Sequence, residues 1–197
     1  MKTLIHRILK TYWRVRTEFT FRLNGVPVPP GLTIGGVIGL SVGSPSGLKL
    51  GENLTLLNDS RYNRAGINHA VQLVCAPGAS LVIGNNVGIS GGSIYCVKQI
   101  TIGNNVLLGA NCNVYDTDFH PVDYQDRRES QPGLTADVAI EDDVWLGANV
   151  TVLKGVTIGA RAVIGAGSVV TRDIPADTFA AGAPARVVRT LTNRKAA

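Results

Sequence analysis

From residue 140 onward the chain keeps a six-residue phase: Ile140, Leu146, Val152, Ile158, Ile164 and Val170. Two residues before each stand Val138, Val144, Val150, Val156, Ala162 and Ser168, all small or β-branched. Glycine follows the aliphatic at 147, 159 and 165. The register recurs as Ile102-Gly103, Leu108-Gly109 and Val114, and more faintly as Ile83-Gly84 and Ile89, with traces at Ile34-Gly35 and Leu50-Gly51. A period of six fits neither a 3.6-residue helix nor one long alternating strand. It fits a short β segment followed by a sharp corner, where glycine supplies backbone angles that other residues resist. If three hexads close one turn, coils of about 18 residues stack at the ~4.8 Å strand spacing. The aliphatic of each hexad then points into a narrow triangular interior, and the small residue two positions back fits beside it. Only 6% of the residues are aromatic and 23 of 197 are glycine, as so narrow an interior requires. No hexad buries its aliphatic alone, so the stack is cooperative. An all-β parallel solenoid is the expected fold.

Charge divides the chain. Residues 1–25 hold Lys2, Arg7, Lys10, Arg14, Arg16 and Arg22 against Glu18. Leu4, Ile5, Ile8, Tyr12, Val15 and Phe19 fall within about 100° on a helical wheel, which predicts a basic amphipathic helix over 1–25. VPVPPG (26–31) stops it. Such a helix either docks on the base of the solenoid or a neighbouring subunit, or lies on an anionic membrane. Residues 26–79 read as N-terminal coils with a connecting segment, 80–180 as the β-helix proper and 181–197 as a C-terminal tail. No apolar run approaches the ~20 residues that span a bilayer. MKTLIHRILKTYWRVR is cut too often by basic residues to form a secretory apolar region, so a cytoplasmic location is expected, with or without membrane association. Cys75, Cys96 and Cys112 form no CxxC pair and read as reduced small hydrophobes. The basic residues lack interleaved aromatics and any nucleic-acid module, so no nucleic-acid partner is expected.

Between Val114 and Val138 the six-residue phase is lost, and residues 115–137 must leave the solenoid as a loop. Loops thrown out from a rigid repeat commonly form its functional face. This one carries His120, one of three histidines. Imidazole titrates near pH ~6.5 and can take a proton at neutral pH, as activation of a hydroxyl nucleophile requires. Asp116 and Asp118 stand close enough in sequence to hold the ring in one tautomer or to meet a substrate. The histidines at 6, 69 and 120 are too scattered for a zinc triad, so no metal is expected in catalysis.

The runs IGNNVGIS, IGNNVLLGANCNV and VWLGANVTVLKGVTIGARAVIGAGSVVTRDIP resemble the hexapeptide-repeat acyltransferases, whose fold is a left-handed parallel β-helix. PADTFAAGAPARVVR is similar to the end of the maltose, galactoside and nodulation-type sugar O-acetyltransferases. The resemblance spans roughly residues 80–190 and implies a homotrimer with the site between subunits and acetyl-CoA as donor. It makes His120 the general base and the Ala148 N–H a donor to the tetrahedral oxyanion. Trp145 is placed beside the catalytic histidine and the thioester, with Ala166 along the pantetheine arm. Thr171 and Arg172 are then expected near the nucleotide, and Arg186 and Arg189 near its phosphates. Ser90 stands on the acceptor side, where such enzymes often carry Asn. The implied reaction is direct O-acetylation of a sugar or lipid-linked polysaccharide precursor. N-acetylation of an amino sugar or antibiotic is the alternative within the class; a non-catalytic scaffold and a metal-dependent hydratase are the alternatives outside it.

Overall fold

The computed structural model describes residues 2–61 and 63–192, with residues 2–7 described by their backbone alone. A helix, α1 (Lys2–Leu23), precedes a triangular prism of parallel strands. The first wall runs from strand Thr33–Gly35 through Thr55–Leu57, Gly88–Ser90, Leu107–Leu108, Trp145–Leu146 and Val163–Ile164. It ends in an antiparallel hairpin, Thr178–Gly182 with Ala185–Thr190. The second wall has six strands, from Gly39–Val42 to Val169–Val170, and the third has five, from Leu48–Leu50 to Thr157–Ile158. The sheet order steps by three in the chain, so each coil visits each wall once. Coiling begins at Thr33, some distance before the residue-80 boundary that the repeat makes plain.

In-register pairing stacks the hexad aliphatics into columns. Leu56, Ile89, Leu108, Leu146, Ile164 and Ala180 follow one another along the first wall, all buried. The small positions Val106, Val144, Val150, Val156, Ala162 and Ser168 are buried beside them, as the sequence predicts. Glycine plays a different part from the one expected. Gly103 and Gly147 do not carry the left-handed angle; a Cβ on either would strike the next coil, 2.8 Å from Asp142 N and 2.6 Å from Ala166 N. The left-handed residue is instead the polar one that follows: Asn86, Asn105, Asp143, Asn149 and Arg161 have φ between 57° and 62°. Asn and Asp tolerate that region because their short side chains bond locally. Here those side chains also tie one coil to the next, as where Asn86 Nδ2 donates to Asn105 Oδ1 at 3.0 Å. The residues just before them do the same, Asn104 Oδ1 accepting from Asn85 N at 2.9 Å and Asp142 Oδ1 from Asn104 N at 2.7 Å.

Two segments leave the prism. Residues 116–137 depart at the corner between the second and third walls and contain a short helix, α2 (Tyr124–Arg128), whose first turn is capped by Asp123. Residues 58–71 form a second excursion, at the corner between the first and second walls. At the open end, α1 packs against strand Thr33–Gly35 through Trp13, Thr17 and Phe21, which are buried. Of the places open to the expected apolar stripe, the base of its own prism is not the one it takes: Ile8, Tyr12, Val15 and Phe19 point away from the prism and are exposed. Leu4 and Ile5 lie outside the residues whose side chains are described. The wheel therefore holds two apolar faces, and the one with the larger rings seals the core.

Candidate active site

Two ridges of the prism carry the site residues. The first is the corner between walls one and two. Ser90 lies along it two coils before Ala148 and Ala166 one coil after, with the Trp145 side chain beside them on the face of wall one. Trp145 is 53% exposed and stands in register with Leu107, 54% exposed. With Thr55, Gly88 and Ser90 they line a groove of about 350 Å³. The N–H groups of Ala148 and Ala166 donate to no carbonyl among the described residues, so the ridge offers free amides. Gly109 and Gly147 permit this, because a Cβ on either would press on the Ala148 or Ala166 nitrogen.

The excursion 58–71 closes one side of this ridge, and the sequence reading does not single it out. Asn111 (φ 62°) bonds it in both directions, accepting from Asn68 N at 2.8 Å and donating Nδ2 to Gly66 O at 2.8 Å. The carbonyl of His69 thereby sits against Gly91, next to Ser90, while its ring Nδ1 lies 3.0 Å from the Ala70 carbonyl oxygen. The available signal was the gap in the repeat between Leu57 and Val71.

The second ridge is the corner between walls two and three. His120 comes from the loop emerging there, and Thr171 and Arg172 occupy the same corner two coils later. The loop neck is an antiparallel bridge between Thr117 and Thr135. Phe119 holds the next residue in place. It adopts φ 62°, donates its N–H to Thr117 Oγ1 at 3.1 Å, and lays its ring on Tyr95 (4.9 Å) and Tyr115 (5.3 Å) of wall two. His120 N donates to Asp118 O at 2.7 Å, which completes a tight turn with the imidazole exposed. Among the described residues its ring makes no hydrogen bond.

Neither loop aspartate orients that ring. Asp116 is fully buried, and its carboxylate accepts from Val97 N at 2.8 and 3.1 Å and from Lys98 N at 2.7 Å. It fastens the loop root to the preceding coil and has no face left for a substrate. Asp118 is paired with Lys154 Nζ at 3.0 Å. Sequence proximity misled here because the chain reverses at residue 116, which turns the carboxylate back toward the prism.

The expected coenzyme-binding residues divide between the ridges. Ala148 and Ala166 share the first with Trp145; Thr171 and Arg172 share the second with His120. Arg186 and Arg189 lie on the exposed outer strand of the terminal hairpin, Arg189 over the Phe179 ring at 5.7 Å. The second wall separates the two groups within one chain. Cys112 is buried behind the first ridge, with its Sγ 3.0 Å from Gly147 O, and burial pushes its thiol up to about 11. A thiol so placed is packing, not a nucleophile. Among the described residues no group of three His, Cys, Asp or Glu could hold a metal ion.

Comparison with known proteins agrees with the fold. Residues 137–172 match the family model described as bacterial transferase hexapeptide (six repeats), and residues 99–114 match the hexapeptide repeat of succinyl-transferase. The galactoside O-acetyltransferase of Escherichia coli is 43% identical over 95 residues, 48% of this chain and 46% of that protein. The chain thus spans about half the length of the curated relatives it matches. The crystal structure of a hexapeptide-repeat-containing acetyltransferase from Vibrio cholerae is 40% identical, with a TM-score of 0.57, over 62% of this chain and 70% of that one. The same bacterium's enzyme complexed with acetyl coenzyme A aligns over 91% of this chain and 78% of its own, at 28% identity and TM-score 0.60. With six-residue phase, triangular left-handed coil and relatives in agreement, this chain belongs to the hexapeptide-repeat acetyltransferase family.

Proposed function

We propose that the protein transfers the acetyl group of acetyl-CoA to a hydroxyl of a sugar or polysaccharide precursor, as a homotrimer whose sites form between subunits. The observation that carries this is the division of the site between two ridges. The exposed imidazole, Thr171 and Arg172 lie at one edge of the second wall, and the free amides and Trp145 at the other. Neither ridge alone presents both a base and an oxyanion donor, but two prisms side by side bring them together. In that cleft an imidazole nitrogen of His120 accepts the proton of the acceptor hydroxyl as its oxygen attacks the thioester carbonyl. The Ala148 N–H donates to the carbonyl oxygen as it gains charge. When the tetrahedral centre collapses, the C–S bond breaks and His120 returns the proton to the departing thiolate, so no acyl-enzyme forms.

The small Ser90 side chain and Gly88, which both line the groove, leave room for a bulky acceptor. A cytoplasmic location with peripheral membrane contact through residues 1–25 suits a lipid-linked precursor. The test follows free CoA release over a panel of sugar and amino-sugar acceptors. His120→Ala is expected to lower kcat by about 10²–10⁴-fold; unchanged turnover would refute His120 as the base, and no CoA release by wild type on any acceptor would leave the chain a scaffold. Stable label on the protein after mixing with radiolabelled acetyl-CoA alone would refute direct transfer.

A further inference from the structure

The helix α1 has two faces, and only one is used by the prism. Trp13, Thr17 and Phe21 seal the open end of the core. Ile8, Tyr12, Val15, Phe19 and Leu23 lie on the opposite side, each between 52% and 70% exposed. At ~100° per residue these five fall within an arc of about 80°, centred roughly 160° from the buried arc. Five large apolar side chains in one unbroken helical stripe form a patch of the kind that marks an interaction surface.

The rim of the stripe names its partner. Arg16 borders it on one side and Arg22 on the other, both exposed. Arg16 Nη1 donates to the Tyr12 hydroxyl at 3.0 Å, so phenol and guanidinium meet at the boundary. The one acid among residues 8–23, Glu18, is already bonded to Arg14 Nε at 2.9 Å. Apolar side chains flanked by guanidinium groups that meet no carboxylate among the described residues are what a helix lying in a lipid headgroup region needs. The apolar face enters the acyl boundary while the arginines reach back to the phosphates. Two copies pairing through this face would instead set arginine rims together with no free acid to meet them. The helix also lies at the end of the prism, so subunits meeting along the walls leave its outer face open. No described helix is long and apolar enough to cross a membrane, so α1 would lie in the surface plane.

We propose that the Ile8–Tyr12–Val15–Phe19–Leu23 face of α1 docks the protein on an anionic lipid bilayer. This deepens the membrane contact in the functional reading above, but it stands on the helix alone. The test uses the full chain with vesicles of phosphatidylcholine, with and without phosphatidylglycerol, read by flotation. Acetyl transfer to a soluble acceptor and the sedimentation mass are followed on the same samples. Wild type should float with the mixed vesicles and only weakly with pure phosphatidylcholine. Val15→Glu with Phe19→Glu removes no buried contact and should lower vesicle binding at least about tenfold, with mass and soluble activity unchanged. Arg16→Gln with Arg22→Gln should abolish the preference for phosphatidylglycerol. No flotation of wild type with mixed vesicles would overturn the proposal. A fall in mass for the glutamate variant would overturn it in favour of a second copy on this face. Loss of soluble activity in wild type, with flotation intact, would count against the acetyl-transfer reading alone.

Discussion

Replacing Asp116 by Ala withdraws a carboxylate that accepts three hydrogen bonds from two backbone amides, Val97 N and Lys98 N. Those amides lie at a corner where Val97 is half-buried and Lys98 exposed, so water can reach part of what is lost. An unsatisfied, partly buried donor costs about 1–2 kcal/mol, which puts the pair at about 2–4 kcal/mol. For a chain of this size each kcal/mol lowers Tm by about 2–4 °C, so the variant should melt roughly 5–15 °C below wild type. The assay is thermal unfolding by circular dichroism at fixed protein concentration, because an oligomer's Tm depends on concentration. Asp116→Asn keeps one acceptor oxygen and should fall between the two. At 25 °C the folded variants should keep kcat and KM near wild type, because the His120 ring makes no bond to Asp116. An unchanged Tm with a fall in kcat beyond about tenfold would refute the reasoning and restore Asp116 as the residue that orients the base.

Phe119→Gly keeps the left-handed backbone but removes the ring that rests on Tyr95 and Tyr115. Two ring pairs are worth about 1–3 kcal/mol, so kcat should fall about tenfold or more with the KM for acetyl-CoA little changed, and Phe119→Tyr should rescue it. Ala148→Pro deletes one N–H that bonds no carbonyl, at the position before left-handed Asn149 (φ 59°) where proline suits the turn. It should cost about 10²-fold in kcat with little change in Tm. The buried Cys112 thiol is raised from its ordinary 9.0 to about 11, so its contribution to stability is full below pH 9 and lost as pH rises toward 11. Urea midpoints should drop across that window, Cys112→Ala should flatten the drop, and the variant should stay active.

The repeat made the solenoid legible because burial in a triangular prism leaves only one residue in six large and inward. The glycine corners were visible too, although the division of labour between glycine and the polar residue after it was not. Sequence shows that glycine recurs, but only stacking shows that Gly103 and Gly147 are small for the next coil's sake while Asn105 and Asn149 supply the angle. His120 was legible because the repeat fails around it. Asp116 was misread because its direction depends on a chain reversal that no spacing records. The 58–71 excursion was missed because its anchor, Asn111, lies 43 residues from Asn68. For α1, periodicity found an apolar stripe but could not say which of two stripes the prism takes. Trp13 and Phe21 offer the larger rings to a core otherwise built from aliphatic residues and cysteine.

The most direct test of a site divided between subunits mixes two inactive variants, His120→Ala on one ridge and Ala148→Pro on the other. Equal amounts are unfolded together, refolded and assayed for CoA release. If each site takes its imidazole from one subunit and its free amide from the next, random reassembly restores both intact halves in about a quarter of the sites. Activity near that fraction of refolded wild type is the predicted result. Activity no higher than that of the two variants refolded separately, with co-assembly verified by mass, would place both groups in one chain's own site and contradict the account.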